Sequence, residues 1–270
     1  MSVLGQTLLK VSANRFVQGM LASNVHLSQY LMGVGSGGGV KSSGERAMFG
    51  VLRQRSKPPY CIFDVGANKG QFLKLTLDNI GVKDFTVHCF EPGQGTFREL
   101  VAGAGVDQRV RLNNFGLGKE SGAAQLYYDE VGSGLASLTK RRLDHFEVEF
   151  DQAETVVIRT IDSYCQEHGV DRIDLLKIDI EGHELDALAG AQQMLEKKAI
   201  DIVSFEFGGC NIDTRTYFQD FWYFFHQAGF DLLRITPSGY LHPLGAYQEI
   251  DVQFRTTNFL AVARRDPVAA

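Results

Sequence analysis

One stretch carries more chemistry than any other in the chain. Phe63-Asp64-Val65-Gly66-Ala67-Asn68-Lys69-Gly70-Gln71-Phe72 runs from an apolar, strand-like segment through a glycine turn into a helix-like one, and Glu91 closes the next apolar run. Glycines where a strand stops let a ligand approach the backbone, and an acid ending the following strand accepts hydrogen bonds from ribose hydroxyls. The layout predicts a nucleoside cradle. A dinucleotide site needs G-x-G-x-x-G so that a pyrophosphate can settle on the helix N-terminus; here Asn68 holds the middle position and its side chain crowds that approach. The pattern Asp-x-Gly-x-Asn-x-Gly suits a nucleoside with a compact amino-acid tail. Asp64 would meet an ammonium, while Gly66 and Gly70 would leave space and free N–H groups for a carboxylate. S-adenosylmethionine has that shape.

A second block, Lys177-Ile178-Asp179-Ile180-Glu181-Gly182-His183-Glu184, ends another apolar run and starts a helix-like segment. In open α/β sheets ligands bind beyond the carboxyl ends of the strands, so Asp179, Glu181 and His183 are predicted to face the same crevice as Asp64 and Glu91. Glu206, in Ser204-Phe205-Glu206-Phe207-Gly208, adds a carboxylate at that edge. An imidazole titrates near neutral pH, which makes His183 the first choice of general base, with Asp179 or Glu181 orienting it or taking the proton. A competing account has Asp179 and Glu206 hold a divalent cation that acidifies a hydroxyl. Asn114, ending a third strand, would read the adenine edge. Asn211, Tyr217, Tyr240 and His242 lie in or near predicted loops and are the acceptor-side choices. Phe218, Phe221, Trp222 and Phe225 share one helical face and are assigned to the core.

These residues need a scaffold, and the apolar pattern supplies one. Strands are predicted at Tyr60–Asp64, Phe85–Phe90, Val110–Asn114, Thr155–Ile161, Ile173–Ile178, Ile200–Phe205, Phe230–Ile235 and Asn258–Ala263. Helices are predicted over Gln71–Asn79, Gly95–Ala102, Glu184–Lys197 and Thr214–Gln227, with a small hairpin about Ala124–Tyr128. Alternation of strand and helix means a mostly parallel sheet covered on both faces, and the last two strands suit an antiparallel pair at one edge. Ahead of it, Leu9, Ala13, Phe16, Met20, Leu27 and Leu31 recur at helical spacing, and Gly33–Gly39 reads as a flexible hinge. Residues 1–50 thus form a helical extension and 51–270 the main domain. The helix reads either as a lid over the substrate or as a surface docked on the core or on a second subunit in a homodimer.

The 270 residues, 44% hydrophobic, suffice for one substantial core. A net charge of −5 argues against a nucleic-acid partner. Cys61, Cys89, Cys165 and Cys210 form no CxxC pair, and no apolar run reaches the length of a membrane span, so a reduced, cytoplasmic protein is expected.

Taken in order, FDVGANKGQF, FEPG, Asn114 with the Gly116-Leu117-Gly118 turn, KIDIEGHELDALAGA, FEFG and Thr257-Asn258-Phe259-Leu260-Ala261 resemble the FkbM family of S-adenosylmethionine-dependent methyltransferases over about residues 60–263. The resemblance implies a class I, Rossmann-like α/β fold, a seven-stranded sheet with its last strand antiparallel, and methylation of an oxygen. It implies a cofactor set of Asp64, Gly66, Ala67, Asn68, Gly70, Gln71, Phe72, Glu91, Pro92, Asn114 and Asp179. Ser42-Ser43-Gly44-Glu45-Arg46 looks like members found with glycan-assembly enzymes, which favours a sugar hydroxyl over a polyketide one as acceptor. A nicotinamide-dependent sugar dehydrogenase and a non-catalytic cofactor-binding scaffold are the rival classes.

Overall fold

A computed structural model describes residues 3–39 and 42–265. The strands are β1 (Tyr60–Val65), β2 (Phe85–Phe90), β3 (Val110–Asn113), β4 (Gly116–Leu117), β5 (Gly122–Tyr128), β6 (Gln152–Arg159), β7 (Leu175–Ile178), β8 (Ile202–Phe207), β9 (Phe230–Ile235), β10 (Leu241–Leu244) and β11 (Thr257–Ala263). The helices are α1 (Val3–Ser12), α2 (Arg15–Leu31), α3 (Ala47–Arg55), α4 (Gln71–Asn79), α5 (Gln94–Ala104), α6 (Ile161–His168), α7 (Glu184–Ala189), α8 (Gln192–Glu196), α9 (Cys210–Thr214) and α10 (Phe218–Gln227).

The main sheet runs β10-β9-β11-β8-β7-β1-β2-β3. Strands β3, β2, β1, β7 and β8 are parallel, and β11 is antiparallel to both of its neighbours, β8 and β9. This is the seven-stranded class I sheet that the resemblance implies, extended at one edge by β10. Alternating side chains feed two cores. Phe63, Phe90, Phe205 and Phe259 pack with α6, α7 and α10 on one face, and Ile62, Val87, Leu175 and Leu260 pack with α3 and α4 on the other. Phe218, Phe221 and Phe225 are wholly buried, with Phe221 stacked on Phe205 at a centroid distance of 4.9 Å, so the aromatic face of α10 belongs to the core. A separate three-stranded sheet, β4-β6-β5, stands beside the carboxyl end of β2.

Sequence expectations change at the N-terminus and in the helices. The helix expected from Leu9 onward is two helices, because Asn14 turns back to cap α2 through Val17 N–H. Gly33–Gly37 is a packed crossing rather than a loose hinge: a Cβ on Gly33 would lie 2.3 Å from Ile235 O, and one on Gly37 would lie 2.8 Å from the Thr256 methyl. The division at residue 50 falls inside α3, whose Met48, Phe49 and Leu52 are fully buried. The long helices expected at 184–197 and 214–227 are each interrupted, giving α7 with α8 and leaving α10 to start at Phe218.

Candidate active site

The sheet order reverses between β1 and β7, and the crevice opens at their carboxyl ends, where Val65 pairs with both Phe90 and Ile178. Gly66 turns the chain there with φ +83°, and a Cβ on it would lie 1.9 Å from Asp179 O. Only glycine allows the two strand ends to approach so closely. The N–H groups of Gly66 and Ala67 both donate to Phe90 O at 3.0 Å, and Gly70 N–H donates to Ala67 O at 2.8 Å. The free N–H groups expected of Gly66 and Gly70 are therefore already used to shape the turn.

Glu91 is the centre of the nucleoside side. Asn68 N–H donates to its Oε2 at 3.0 Å and Gly93 N–H to its Oε1 at 2.8 Å. Burial pushes its carboxyl up to about 7, against those two donors. Around it Pro92, Leu117, Leu126, Leu138 and Ile158 line a small hollow. Residues 133–138 form one wall: Asn68 Nδ2 donates to Ser133 O, and Ser137 Oγ donates to Glu181 O at 2.8 Å. That loop had no signal in the sequence, and the β5–β6 face, expected as strands, gave no sign of lining the site, since their contribution is shape rather than reactive groups.

The hollow opens into a cleft of about 770 Å³ that holds Asp64, Ala67, Gln71, Phe72, Lys177, Glu206 and Asn258, and the two share Gly66, Asn68, Gly134, Asp179 and Glu181. Lys177 is buried at its centre. Its Nζ lies 3.0 Å from Asp179 and 3.9 Å from Glu45. Burial alone would lower its pKa; Asp179, Glu45 and Glu206 outweigh that and raise it, so Lys177 stays a cation. Burial raises Asp64 to about 7 and Glu181 to about 8, and it raises Glu206 strongly, with the Asp179 and Glu181 charges adding to that. Arg141 Nη1 donates to Glu181 Oε2 at 2.5 Å. Asn258 is 3% exposed and its Nδ2 has no protein partner, leaving a donor beside its ladder partner Glu206. Glu45, Arg141, Lys177 and Asn258 were not picked out as site residues; Lys177 and Asn258 lie within quoted family motifs, and Glu45 within the Ser42–Arg46 run.

Asp179, Glu181 and Glu206 present oxygens within 4.8 Å of one another, which matches the oxygen set of the divalent-cation account. Lys177 and Arg141 already neutralise two of the three, so the donor set does not call for a metal and no step is routed through one.

His183 borders the hollow, and its orienting partner differs from the expectation. Nδ1 lies 2.8 Å from Asp186 Oδ2 and Nε2 lies 3.0 Å from Thr139 Oγ1, so neither Asp179 nor Glu181 holds it. The hydrogen bond keeps Asp186 below its ordinary range. Glu184, at the start of α7, is fully buried and accepts from Ile180 and Gly182 N–H, closing the turn that presents Glu181.

Several expected site residues lie elsewhere. Asn114 Nδ2 donates to the carbonyls of Glu91 and Pro92, so it braces the nucleoside turn instead of reading a base. Asn211 is fully buried and accepts from Gly208 N–H while donating to Thr216, a structural role. Tyr217 caps α10 through its own N–H to Asp220. Tyr240 and His242 stand at the β10 edge, outside the crevice, because the hairpin there carries them away from β1 and β7. Gly70 caps α4 below the cleft.

Comparison with known proteins finds methyltransferases. Residues 64–232 match the methyltransferase FkbM domain. The chain is 27% identical over 160 residues to the 2-O-methyltransferase NoeI of Sinorhizobium fredii (strain NBRC 101917 / NGR234), covering 54% of this chain and 63% of that protein. It is 31% identical over 163 residues to the 31-O-demethyl-FK506 methyltransferase FkbM of Streptomyces tacrolimicus, covering 50% and 61%. It thus spans a little under two thirds of both relatives. Among solved structures, the methyltransferase FkbM from Methylobacillus flagellatus KT aligns at 18% identity over 75% of this chain and 43% of that one, with a TM-score of 0.45.

Proposed function

The chain belongs to the FkbM methyltransferase family, and we propose on that premise that it moves the methyl group of S-adenosylmethionine onto a hydroxyl of a sugar in a glycan or glycoconjugate. The observation that carries this reading is the junction of hollow and cleft. A flat base fits between Pro92, Leu126 and Ile158, a ribose diol meets Glu91, and an ammonium meets Asp64 in the adjoining space. When bound, the cofactor supplies a methyl already activated by its sulfonium.

The protein's own residues must align an acceptor and manage its proton. Asp186, an anion, holds the proton of His183 on Nδ1, which leaves the Nε2 lone pair as acceptor beside the Thr139 hydroxyl. His183 is accordingly the general base, with Asp186 as its positioning residue. The cleft wall can receive a polyol: Glu206, Asn258 Nδ2, Glu45 and Gln71 offer donors and acceptors, beside an apolar contribution of Ala67, Phe72, Leu75 and Leu135. One relative is named a 2-O-methyltransferase and the other a methyltransferase of 31-O-demethyl-FK506, which supports oxygen as the acceptor atom.

Titration with S-adenosylhomocysteine, followed by methyl transfer to a panel of neutral deoxysugar glycans and a macrolide alcohol, tests the reading. The protein should bind S-adenosylhomocysteine, and Glu91→Gln should weaken that binding about 10- to 100-fold, since two backbone donors lose their charged acceptor. Binding of NAD in its place, or transfer to the macrolide alone, would replace this reading.

A further inference from the structure

Residues 133–141 cross the site and are tied to it at both ends. At alternate positions, Ser137 Oγ donates to Glu181 O at 2.8 Å, the Thr139 hydroxyl meets His183 Nε2 at 3.0 Å, and Arg141 Nη1 donates to Glu181 Oε2 at 2.5 Å. All three reach one turn. At the other end Asn68, whose N–H donates to Glu91, also donates from Nδ2 to Ser133 O. Between these ties Gly134, Ala136 and Leu138 line the hollow. The segment is a strap that roofs the hollow from Glu91 to His183.

The strap has little backbone pairing to hold it. An isolated bridge joins Ser137 to Tyr127 of β5, while the Leu135 and Thr139 N–H groups donate to the Ser133 and Ser137 hydroxyls within the strap itself. Its charged tie is Arg141, whose side chain is 7% exposed and whose Nε also reaches Asp213 of α9 at 3.4 Å. Charge-assisted hydrogen bonds are about twice as strong as neutral ones. The turn that Arg141 grips is a fixed anchor: Glu181 sits at φ +52°, and a Cβ on Gly182 would lie 2.7 Å from the Thr214 methyl of α9.

We propose that Arg141 is the latch of this strap, and that by holding the roof in place it sets the affinity for the nucleoside of the cofactor. The inference rests on the nucleoside being seated in the hollow, as proposed above. Arg141 is then a positioning residue. It touches Glu181 and Asp213 and acts on the nucleoside through Gly134, Ala136 and Leu138.

Hydrogen exchange over residues 133–139 and calorimetric titration with S-adenosylhomocysteine, both on the full chain, test this without an acceptor or a turnover assay. Arg141→Met should speed exchange of the Leu135 and Thr139 amides about 10- to 100-fold, the range set by loss of a hydrogen bond between charged groups. It should weaken S-adenosylhomocysteine about tenfold, because the ligand must then order the roof itself, and saturating ligand should slow the exchange again. Arg141→Lys keeps a charge beside Glu181 without the two-way fork and should lie between wild type and Arg141→Met. It also keeps the comparison readable if the methionine variant fails to fold. Arg142→Gln is the control: its side chain pairs with the exposed Asp144, and both readouts should match the wild type. Wild-type exchange and affinity in the Arg141 variants would overturn the proposal. So would faster exchange with unchanged affinity, since the strap would then not bear on the nucleoside. Failure of the wild type to bind S-adenosylhomocysteine would remove the underlying cofactor reading, and the latch with it, whatever the exchange shows.

Discussion

The two halves of the site are built by different means. The nucleoside half is stitched by backbone N–H groups between residues close in sequence: Asn68 reaches Glu91 over 23 positions, and Gly66 and Ala67 share Phe90 O. The acceptor half is assembled from charged side chains that come from far apart. Arg141 reaches Glu181 over 40 positions and Asp213 over 72, and Lys177 draws Glu45 from the N-terminal extension. A backbone cradle imposes a local pattern on the sequence. A side-chain cluster does not.

Gly66→Ala breaks both halves together, which makes it the largest expected effect. The new methyl would strike Asp179 O, and the residue would sit at φ +83°. Overpacking and left-handed strain together cost about 4 kcal/mol or more. Thermal denaturation should show little folded protein, whereas Gly38→Ala, with open space around its Cβ position, should melt like the wild type.

Lys177→Met separates the halves. It removes the cation that Asp179 and Glu45 face, leaving the buried Glu45 carboxylate with the Ser43 hydroxyl and no countercharge, at a cost of about 3 kcal/mol. The Glu91 turn is untouched, so S-adenosylhomocysteine should still bind the surviving folded fraction. Loss of binding in proportion to unfolding alone would confirm the separation; a melting point equal to that of the wild type would show that Lys177 holds nothing together.

His183→Ala acts on turnover alone. Removing a general base lowers the rate about 100-fold or more, and the affinity for S-adenosylhomocysteine should stay within a factor of two because the Glu91 cradle does not use the imidazole. Near-normal turnover would take His183 out of the mechanism and shift the proton to the carboxylates at 179, 181 and 206. Asp186→Asn should give a smaller loss in turnover with a shifted pH profile, as expected of a residue that acts through His183.

The same division decides what could be read beforehand. The turn at 64–70, Glu91 and the block at 179–183 were legible because glycines at strand ends and acids after apolar runs are local signals. The mostly parallel sheet followed from alternation of β and α segments and its class I form from the family resemblance, and β10 escaped notice because Leu241-His242-Pro243-Leu244 is short and interrupted by proline. Asn114 and Asn211 have structural roles for one physical reason: an amide just past a strand, as at 114, or in a short helix, as at 211 in α9, serves neighbouring protein groups as readily as a ligand, and hydrogen-bond partners do not show in spacing. Gly33–Gly37 was read as loose because composition records the lack of side chains. It does not record that Ile235 and Thr256 fill the space they leave.

The smallest expected effect tests whether Asp64 belongs with the nucleoside half or with the charge cluster beside it. Burial raises its carboxyl to about 7, with Lys177 opposing and Asp179, Glu45 and Glu91 adding to the rise. A raised carboxyl is neutral in the folded protein below that value, so it stabilises the fold at low pH and loses that contribution as pH rises from about 4 through about 7. Ligand binding runs the other way. An ammonium pairs only with the ionised form, whose share grows about tenfold between pH 6 and pH 8 for a group titrating near 7. Calorimetric titration with S-adenosylhomocysteine should therefore show affinity about tenfold weaker at pH 6 than at pH 8, in a folded protein that is no less stable at the lower pH. In Asp64→Asn the dependence should shrink to what Glu91 contributes. If that variant keeps the pH dependence of the wild type undiminished, Asp64 serves Lys177 and the acceptor half, and the ammonium is met elsewhere.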